Sequence, residues 1–506
     1  MEINSLPAEV LSYIIGFLPW KGPGNYTGIE VELDDLRKAR LVCRQWNTIA
    51  SAHLFRDIAL LHTSDGKDFS KFKAQTASPM VQNAARCAVI YSGPHHHCQD
   101  MANSDVRSYE DWDEWDTSEY KEFTDAIDCI VDLPKLNAVH IRFSNRCSGD
   151  HDDDYYWEMG IEKFSTRMKT IEAVFTAMQA RKARGGNTTI NTMAIEGLQN
   201  MPFLDFVASD LFKSVAGDIA ELRLLVAEEY NEHGPDHDLK CLERRTFEPW
   251  LQNTLLPVFA NQLTSLHLAF NDNWGVAPGY FDGKGLQFPY LKTLTLSDFV
   301  IGHHDQFDWV LNQTTLETLR LDRCLIVSHL KFHVGSVRNP ENQLRDWQVK
   351  THDWTEHPLW AFGISERSRV FTFSRTWEAL FDDIRSRLPS LVDFRNDYKM
   401  YRSDNKFNTA EYLGCGLSCL RYVTLDTGLL PSPWIEANEF TGDMSFGNND
   451  PTPLPLDERK DAGWPQPKCK LNRAEETLTG DSRAFRELVL AVEGRRRKRG
   501  LAPISF

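Results

Sequence analysis

The residues best suited to metal chemistry lie close to position 95. His95–Cys98 reads His-His-His-Cys, Cys87 precedes it, and His151–Asp154 reads His-Asp-Asp-Asp. Imidazole, thiolate and carboxylate groups are the ligands that zinc takes in proteins, so a metal-dependent enzyme is one hypothesis. Adjacent histidines on a loop that begins with Gly-Pro diverge, however, and neither the paired spacing of zinc fingers nor H-E-x-x-H is present. We favour a solvated polar loop, and predict no metal and no other cofactor.

No other motif supports catalysis. Cys415 and Cys419 are one residue too far apart for Cys-x-x-Cys, so we predict two buried reduced thiols. The patterns G-x-S-x-G, G-x-x-x-x-G-K-[ST] and G-x-G-x-x-G are absent from the sequence. Residues 109–116 are rich in carboxylates, but general acid–base catalysis needs carboxylates that converge in a cleft, and we favour an exposed acidic insertion with aromatic anchors. We predict a protein without catalytic residues.

Composition and charge describe a folded, acidic chain. Of its 506 residues, 42% are hydrophobic, and 72 acidic residues against 56 basic ones give a net charge of −16. This balance repels polyanions, so we predict no membrane partner and consider nucleic acid an unfavourable one. The ten cysteines are scattered, no stretch approaches the roughly 18 apolar residues of a membrane-spanning helix, and the first residues do not resemble a signal peptide. We expect a location in the cytoplasm, the nucleus or both.

The first sixty residues predict a small helical module. Apolar residues recur at helical spacing between positions 10 and 18, after Pro7, a residue suited to the first turn of a helix. A loop rich in Gly, Pro and Asn follows, and helical spacing resumes between positions 36 and 50, after Asp34 and Asp35. Because a module this short cannot bury all of its apolar residues, we expect a partner to cover some of them.

The order of residues in this module resembles the F-box. The matching stretches are Leu6-Pro7-x-Glu9-Val10-Leu11, Leu18-Pro19, Leu41-Val42-Cys43-Arg44-x-Trp46 and Leu54-Phe55-Arg56. Several unlike residues in the expected order make the pattern specific. The resemblance implies a three-helix domain that binds the Skp adaptor of an SCF-type (Skp–cullin–F-box) ubiquitin ligase, in which a cullin is a further partner.

The apolar residues of this module are candidates both for its core and for adaptor binding. The pattern does not separate the two roles, although we favour a core position for Trp46, since a large aromatic residue is often the central packing residue of a small domain. The candidates are Leu6, Pro7, Ile14, Ile15, Leu18, Leu41, Val42 and Trp46.

After residue 130 the chain repeats the pattern apolar-x-x-apolar-x-apolar, the strand signature of a leucine-rich repeat. The clearest copies begin at Leu263, Leu291 and Leu316, 28 and 25 residues apart, within the repeat range of about 20 to 29. Asn271 and Cys324 follow two of these copies at the Asn/Cys position, where a side chain bonds backbone groups of a turn. Weaker copies begin at Leu136, Ile190, Ile219 and Leu420.

These copies predict an α/β fold, in which the small N-terminal helical F-box is followed by an irregular leucine-rich-repeat solenoid. Its parallel sheet would have helical or loop returns, and its exposed face would suit a macromolecular target. Because alternate side chains of a strand point to opposite faces, His267, Thr295 and Arg320 are the candidates for contact with the target.

The domain organisation expected from these patterns has five parts. They are an F-box-like domain at 1–60, a connecting region with the acidic insertion at 61–130, the repeat array at 131–430, a Pro/Gly-rich loop or linker at 431–470, and an amphipathic helix with a basic tail at 471–506. Gly494 is the expected end of that helix, and Arg495–Arg499 are five consecutive cations. This run suits nuclear import or a nucleic-acid backbone, and equally a solvated tail.

Two hypotheses of different class follow. The resemblance to an F-box protein with leucine-rich repeats, of a fungal type, implies the substrate receptor of a ubiquitin ligase, with an unknown target protein and no catalytic residue of its own. The alternative is a leucine-rich scaffold whose N-terminal helices cap the solenoid, because terminal repeats need capping.

Overall fold

The computed structural model shows two compact units. The first comprises Met1–Gln199, Phe203–Glu229 and Arg402–Phe407, and the second Asn200–Pro202, Tyr230–Tyr401 and Asn408–Phe506. The residues that the structure describes are 6–18, 33–61, 69–92, 118–143, 147–148, 162–228, 242–276, 279–333, 351–358, 368–397, 416–426, 429–432, 434–437, 444–446 and 468–503.

The first unit contains nine α-helices and seven strands among its described residues. The helices are α1 (Ala8–Ile15), α2 (Asp34–Ala39), α3 (Arg44–Leu54), α4 (Ser70–Thr76), α5 (Pro79–Ala84), α6 (Ser118–Ile127), α7 (Phe164–Arg184), α8 (Leu204–Ala208) and α9 (Asp210–Ala216). The strands are β1 (Asp57–Leu61), β2 (Cys87–Tyr91), β3 (Ala138–Arg142), β4 (Cys147–Ser148), β5 (Glu162–Lys163), β6 (Thr192–Gln199) and β7 (Glu221–Ala227).

Five of these strands form a parallel sheet in the order β1-β2-β3-β6-β7. Their register places apolar residues side by side, and all of them are buried. One such row runs from strand to strand through Leu60, Ile90, Ile141, Ile195 and Leu224. Because side chains alternate along a strand, every second residue of these strands enters this apolar layer. The rows therefore form the core of the first unit.

The second unit contains five α-helices and twelve strands among its described residues. The helices are α10 (Leu242–Trp250), continued by a π-helical turn at Leu251–Leu255, α11 (Leu256–Phe259), α12 (Asp308–Leu311), α13 (Trp377–Arg387) and α14 (Leu478–Lys498). The strands are β8 (Ser265–Trp274), β9 (Thr293–Ile301), β10 (Thr318–Asp322), β11 (Leu325–His333), β12 (Trp354–Glu356), β13 (Ser368–Phe373), β14 (Asp393–Asp397), β15 (Tyr422–Asp426), β16 (Leu429–Ser432), β17 (Trp434–Ala437), β18 (Met444–Phe446) and β19 (Lys468–Leu471).

The strands β8, β9, β10 and β14 pair in parallel and in register. Leu268, Leu296 and Leu321 are neighbours in one buried row. Strand β11 pairs in parallel with β15 but antiparallel with β13, which also pairs antiparallel with β12. A separate antiparallel sheet has the order β18-β17-β19. The second unit thus combines regular parallel pairing with irregular additions.

A buried ion pair fixes the place where β9 changes its partner. Its first five residues pair with β10, whereas Val300 and Ile301 pair with β11. Between these parts Asp298 has φ 61°, and Arg323, which follows β10, has φ 52°. Left-handed backbone costs an ordinary residue about 1–2 kcal/mol. Arg323 donates two hydrogen bonds of 2.9 Å to the Asp298 carboxylate, which holds both residues in this conformation.

A second buried cluster attaches the C-terminal helix. The Asp481 carboxylate on α14 accepts hydrogen bonds from Arg421 Nε at 2.8 Å, Tyr422 Oη at 3.0 Å and the backbone N–H of Glu378 at 2.8 Å. Asp481 and Arg421 are both buried. The carboxylate therefore joins α14, the beginning of α13 and β15 at one point. Burial raises the pKa of Tyr422 to about 12, so its hydroxyl remains a donor.

The strand predictions agree with this fold. All seven copies of the repeat pattern overlap a strand, namely β3, β6, β7, β8, β9, β10 and β15. Cys324 is buried, and its thiol contacts the Leu296 carbonyl oxygen at 3.4 Å, as expected for the Asn/Cys position. Asn271, in contrast, lies inside β8, because this strand continues to Trp274. The leucine-rich-repeat class itself stays a proposal.

Two expectations for the C-terminal part differ from the structure. The Pro/Gly-rich composition of residues 431–470 predicts a loop or linker, but β17 and β18 lie within this range, where antiparallel pairing satisfies their backbone groups. Helix α14 does not end at Gly494 but continues to Lys498. Arg495 donates to the Leu388 carbonyl oxygen at 3.0 Å, which fixes the last turns of the helix against the chain that follows α13.

The Arg323 ion pair gives a stability prediction. Replacing Arg323 with Ala leaves Asp298 and the fully buried Asp322 without this guanidinium, and we expect the free energy of unfolding to fall by about 3–5 kcal/mol. Arg369→Ala is the matched control, because Arg369 forms the same two-bond pair with Glu356 at 2.6 Å, but at the surface. This control should lose about 0.2–1 kcal/mol. Urea unfolding measures both, and equal losses would contradict the prediction.

Candidate adaptor-binding and target-binding surfaces

Helices α1 to α3 pack around a small apolar core. Its buried members are Leu11, Ile15, Leu36, Ala39 and Ala50, and the partly buried residues that pack against them are Leu18, Leu33, Trp46, Ile49 and Leu54. The core side of α1 is the stripe that the sequence pattern predicts, because residues 11, 15 and 18 recur at helical spacing. The three helices therefore use one face of α1 for their own stability.

A second apolar stripe of α1 faces away from this core. It consists of Val10, Tyr13 and Ile14 on α1 and continues with Phe17 in the turn after the helix. These residues follow the spacing i, i+3, i+4, i+7, and all four are exposed. Tyr13 is 71% and Phe17 is 64% exposed, and their rings meet edge to face with centroids 4.8 Å apart. An eight-residue helix that is apolar on both sides is stabilised when a partner covers its outer side.

The turn between α2 and α3 exposes two further apolar residues. Leu41 is 86% exposed, and Val42 is exposed beside it. Their backbone N–H groups donate to the carbonyl oxygens of Lys38 and Ala39, at 2.9 and 3.2 Å. These hydrogen bonds fix the turn, so both side chains are held at the surface although they are hydrophobic. The turn is thus a second candidate for contact with a partner.

An open groove of about 750 Å³ lies between α1 and α3. Ser12 Oγ and His53 Nε2, 3.0 Å apart, connect the two helices beside it. Tyr13 and Phe17 form part of its lining. At Gly16 a Cβ atom would lie 3.2 Å from the His53 ring, so a larger residue would press the helices apart. The groove extends the exposed stripe of α1 into a concave surface.

The structure divides the predicted adaptor-binding residues into two groups. Ile15 belongs to the core, and Leu18 and Trp46 pack against it, as favoured for Trp46. The other five have exposed or half-exposed side chains, and they are Leu6, Pro7, Ile14, Leu41 and Val42. Adaptor contact by these five stays a prediction.

Sequence reasoning missed Val10, Tyr13 and Phe17 as binding candidates. Their signal is present, since an apolar stripe at positions 10, 13, 14 and 17 accompanies the stripe at 11, 15 and 18. Two such stripes on one short helix indicate that only one of them can enter the core of a three-helix module.

The three predicted target-binding residues are neighbours in the sheet of the second unit. His267 pairs with Thr295, and Thr295 with Arg320, so they form one row on the side of the sheet opposite the leucines. His267 is only 6% and Thr295 only 4% exposed, as in parallel sheets that are covered on both faces. Arg320 is half-buried and lies 3.8 Å from Asp393. Of the three, Arg320 alone keeps appreciable side-chain surface, and its role stays a prediction.

A polar cluster occupies the corresponding face of the sheet in the first unit. Tyr91, Arg142 and Glu196 are neighbours in register on β2, β3 and β6. Arg142 bonds Glu196 Oε2 at 2.7 Å and donates to Tyr91 Oη at 2.9 Å, and His140 Nε2 lies 3.3 Å from the same carboxylate oxygen. The alternation rule that gave His267 also indicates His140, at the intervening position of the copy that begins at Leu136.

Burial sets the protonation of this cluster. It lowers the pKa of His140, and the nearby guanidinium groups of Arg142 and Arg223 act in the same direction, against the raising effect of Glu196. Burial also raises the pKa of Tyr91. His140 is therefore neutral near pH 7 and Tyr91 keeps its proton, so the charge of the cluster comes from the Arg142–Glu196 pair.

Of the residues considered for metal chemistry, His95–Cys98 and His151–Asp154 lie outside the described part of the chain. Within the described ranges, no three His, Cys, Asp or Glu side chains are grouped so that they could hold a metal ion. Cys87 is a free thiol, and burial raises its pKa to about 12. Cys419 is free but exposed, unlike the prediction, because it lies in the turn before β15.

The basic run at the C-terminus is helical through Lys498. Arg495 donates to the carbonyl oxygen of Arg385 at 2.6 Å, and Arg496 to that of Val392 at 2.9 Å. Two of the five cations thus bind backbone oxygens of the same unit, which holds their guanidinium groups against the fold. Among the helices that the structure describes, none is long and apolar enough to cross a membrane.

Comparison with protein families agrees with the N-terminal geometry. Residues 3–61 match the model of the F-box-like family, a stretch that contains α1, α2, α3 and β1. No curated protein matches this sequence. The chain therefore carries an F-box-like domain at residues 3–61. F-box domains typically bind the Skp adaptor in SCF ubiquitin ligases, which suggests this role for the domain.

The division of α1 into a core face and an outer face is testable. Leu11→Ala removes a fully buried side chain and should cost about 2–5 kcal/mol, whereas Tyr13→Ala at the surface should change stability by no more than about 0.5 kcal/mol. Hydrogen exchange of the α1 and α3 amides in the full chain reports both effects. Equal loss of protection in the two variants would contradict the division.

The pKa of His140 predicts a pH dependence of stability. Because the folded pKa lies below the ordinary value of 6.5, the unfolded chain binds the proton first as pH falls, and stability is lost below about pH 6.5. This contribution is at most about 1.4 kcal/mol per pH unit. Urea unfolding between pH 7.5 and 5.5 should show a smaller loss in His140→Gln than in the wild type. Identical losses would exclude this role of His140.

Proposed function

We propose that this protein is a substrate-recognition subunit of an SCF-type ubiquitin ligase. The observation that carries the proposal is an F-box-like domain whose first helix and following turn expose Val10, Tyr13, Ile14 and Phe17. In this role the domain binds the Skp adaptor through the outer stripe of α1 and through Leu41 and Val42. The adaptor connects the chain to a cullin, and the rest of the complex supplies the ubiquitin-transfer chemistry.

Under this proposal the region after the F-box-like domain binds the target protein. Its support is the series of parallel strands, seven of which overlap a copy of the leucine-rich-repeat pattern. Stacked strand units of this kind share one apolar layer and leave loops and strand ends for recognition. Holding a target beside the ubiquitin-charged enzyme raises the local concentration of its lysines, so this chain needs no catalytic residue. We propose that it acts in the cytoplasm, the nucleus or both.

One observation favours a second candidate function, that of a scaffold without a ligase role. The F-box-like helices and the strands β1 to β7 belong to the same compact unit. The helices could therefore act as the cap of the parallel sheet, as terminal repeats require. In that case a chain without residues 1–55 would lose the folded sheet, and no adaptor would bind the full chain.

The adaptor role predicts the effect of charge on α1. A Tyr13→Asp, Phe17→Asp double variant places two carboxylates in the apolar contact, and we expect adaptor binding to weaken at least about tenfold. Binding of the purified full chain to a purified Skp adaptor, followed by size-exclusion chromatography and titration calorimetry, measures this.

Met80→Asp is the matched control, because Met80 is an exposed apolar residue of α5 outside the F-box-like helices. It should leave adaptor binding unchanged, and circular dichroism should show equal helix content in all variants. If the wild-type chain fails to bind the adaptor, the ligase role is lost and the scaffold remains.

A further inference from the structure

The outer face of α14 is the strongest surface not used by the proposed function. Its inner face is buried through Asp481, Ala484, Leu488 and Val492. Arg486, Leu490 and Arg497 lie on the opposite side, because separations of four and seven residues at 100° per residue return to the same face. Leu490 is 63% exposed between the two cations.

Three cations of this face are not used inside the protein. The side chains of Arg486, Arg497 and Lys498 make no hydrogen bond or ion pair with any residue in the described ranges. Arg483 and Glu487 lie on the same side of α14, but each is paired with a residue of α13, Arg483 with Glu378 and Glu487 with Arg385. Their two charges cancel, so the unpaired charge of this face is cationic.

The local charge of the face opposes that of the whole chain. Arg486, Arg497 and Lys498 contribute three positive charges, and the half-buried Glu493 on the same side, which has an interaction of its own, contributes one negative charge. The chain as a whole has a net charge of −16. A ligand drawn to this face must therefore be anionic and small enough to avoid the repulsion from the rest of the surface.

The shape of the face points to an apolar contact at its centre. A Cβ atom placed on Gly494 would meet nothing within 4 Å, so the helix backbone is open to an approaching side chain one turn after Leu490. A nucleic-acid backbone offers no apolar group for Leu490. An amphipathic protein segment does, because it presents apolar residues at helical spacing between charged ones.

We infer that the outer face of α14, formed by Arg486, Leu490, Gly494, Arg497 and Lys498, binds an acidic amphipathic segment of a partner protein. The apolar side of the segment covers Leu490 and Gly494, and its carboxylates pair with the three cations. This inference does not depend on adaptor binding, so failure of the ligase role and failure of this contact are separate results.

The test uses the full chain and a fluorescein-labelled synthetic peptide of about 16 residues, with Leu at helical spacing and Glu at the remaining positions. Fluorescence anisotropy should show binding of this peptide and not of its Gln-for-Glu counterpart. Arg486→Glu with Arg497→Glu should weaken binding about tenfold or more, and Leu490→Ser should weaken it as well, because the apolar contact is lost.

Lys284→Glu is the matched control, because Lys284 is an exposed cation of the same unit outside α14. It makes the same change of charge as either α14 substitution alone and should leave peptide binding unchanged. Circular dichroism checks that each variant is folded. The inference is overturned if the wild-type chain does not bind the acidic peptide, or if Lys284→Glu weakens binding as much as the α14 variant.

Two further probes separate an acidic protein segment from other anions. They are a single-stranded DNA of about 20 nucleotides and vesicles of phosphatidylserine and phosphatidylcholine in a ratio of 3:7. We expect both to bind more weakly than the peptide, because DNA offers no apolar group for Leu490, and a single exposed leucine gives little apolar area for insertion into a bilayer. Tighter binding of either probe, lost in the Arg486→Glu, Arg497→Glu variant, would assign the face to a polyanion or a membrane surface and overturn the inference.

Discussion

In-register pairing of parallel strands is the constraint on which the described structure depends. The side-chain period of a strand is two, so a slip of one residue between β3 and β6 would move Val139 and Ile141 out of the core and bring His140 and Arg142 into it. The apolar rows exclude such slips, because a slip would expose side chains that are now buried, as Val139 and Ile141 are. The same register places Tyr91, Arg142 and Glu196 side by side on the other face of the sheet.

Buried ionic groups determine features of the packing that the apolar rows do not specify. The rows do not specify where β9 leaves β10 for β11, or which surface α14 covers. The Arg323–Asp298 pair sits at the first of these points and Asp481 with Arg421 at the second. A buried pair adds little net stability over an apolar replacement, but an arrangement that separates its partners leaves a charge unpaired in the interior. These pairs therefore select one packing among several apolar ones.

Sequence reasoning predicted the helices and strands whose signal is a short, regular spacing of apolar residues. It missed the features that depend on contacts between residues far apart in the sequence. The helices α1 and α3 and seven strands follow from apolar spacing and from an ordered motif, which are local properties. The burial of His267 and Thr295 depends on what covers the second face of a sheet, which no repeat pattern contains. Likewise, a run of cations indicates charge, but only the fold shows that Arg495 and Arg496 bind carbonyl oxygens.

The two kinds of surface differ in the selectivity that they can provide. The outer stripe of α1 is apolar, and apolar contact depends mainly on area and shape, which suits a partner that is shared by many proteins. Discrimination between similar targets needs polar groups, because a wrong partner leaves them buried and unpaired. Under the proposed function, adaptor binding therefore belongs to the small helices. Selection of a target belongs to surfaces that carry charges at fixed positions, as Arg320 does.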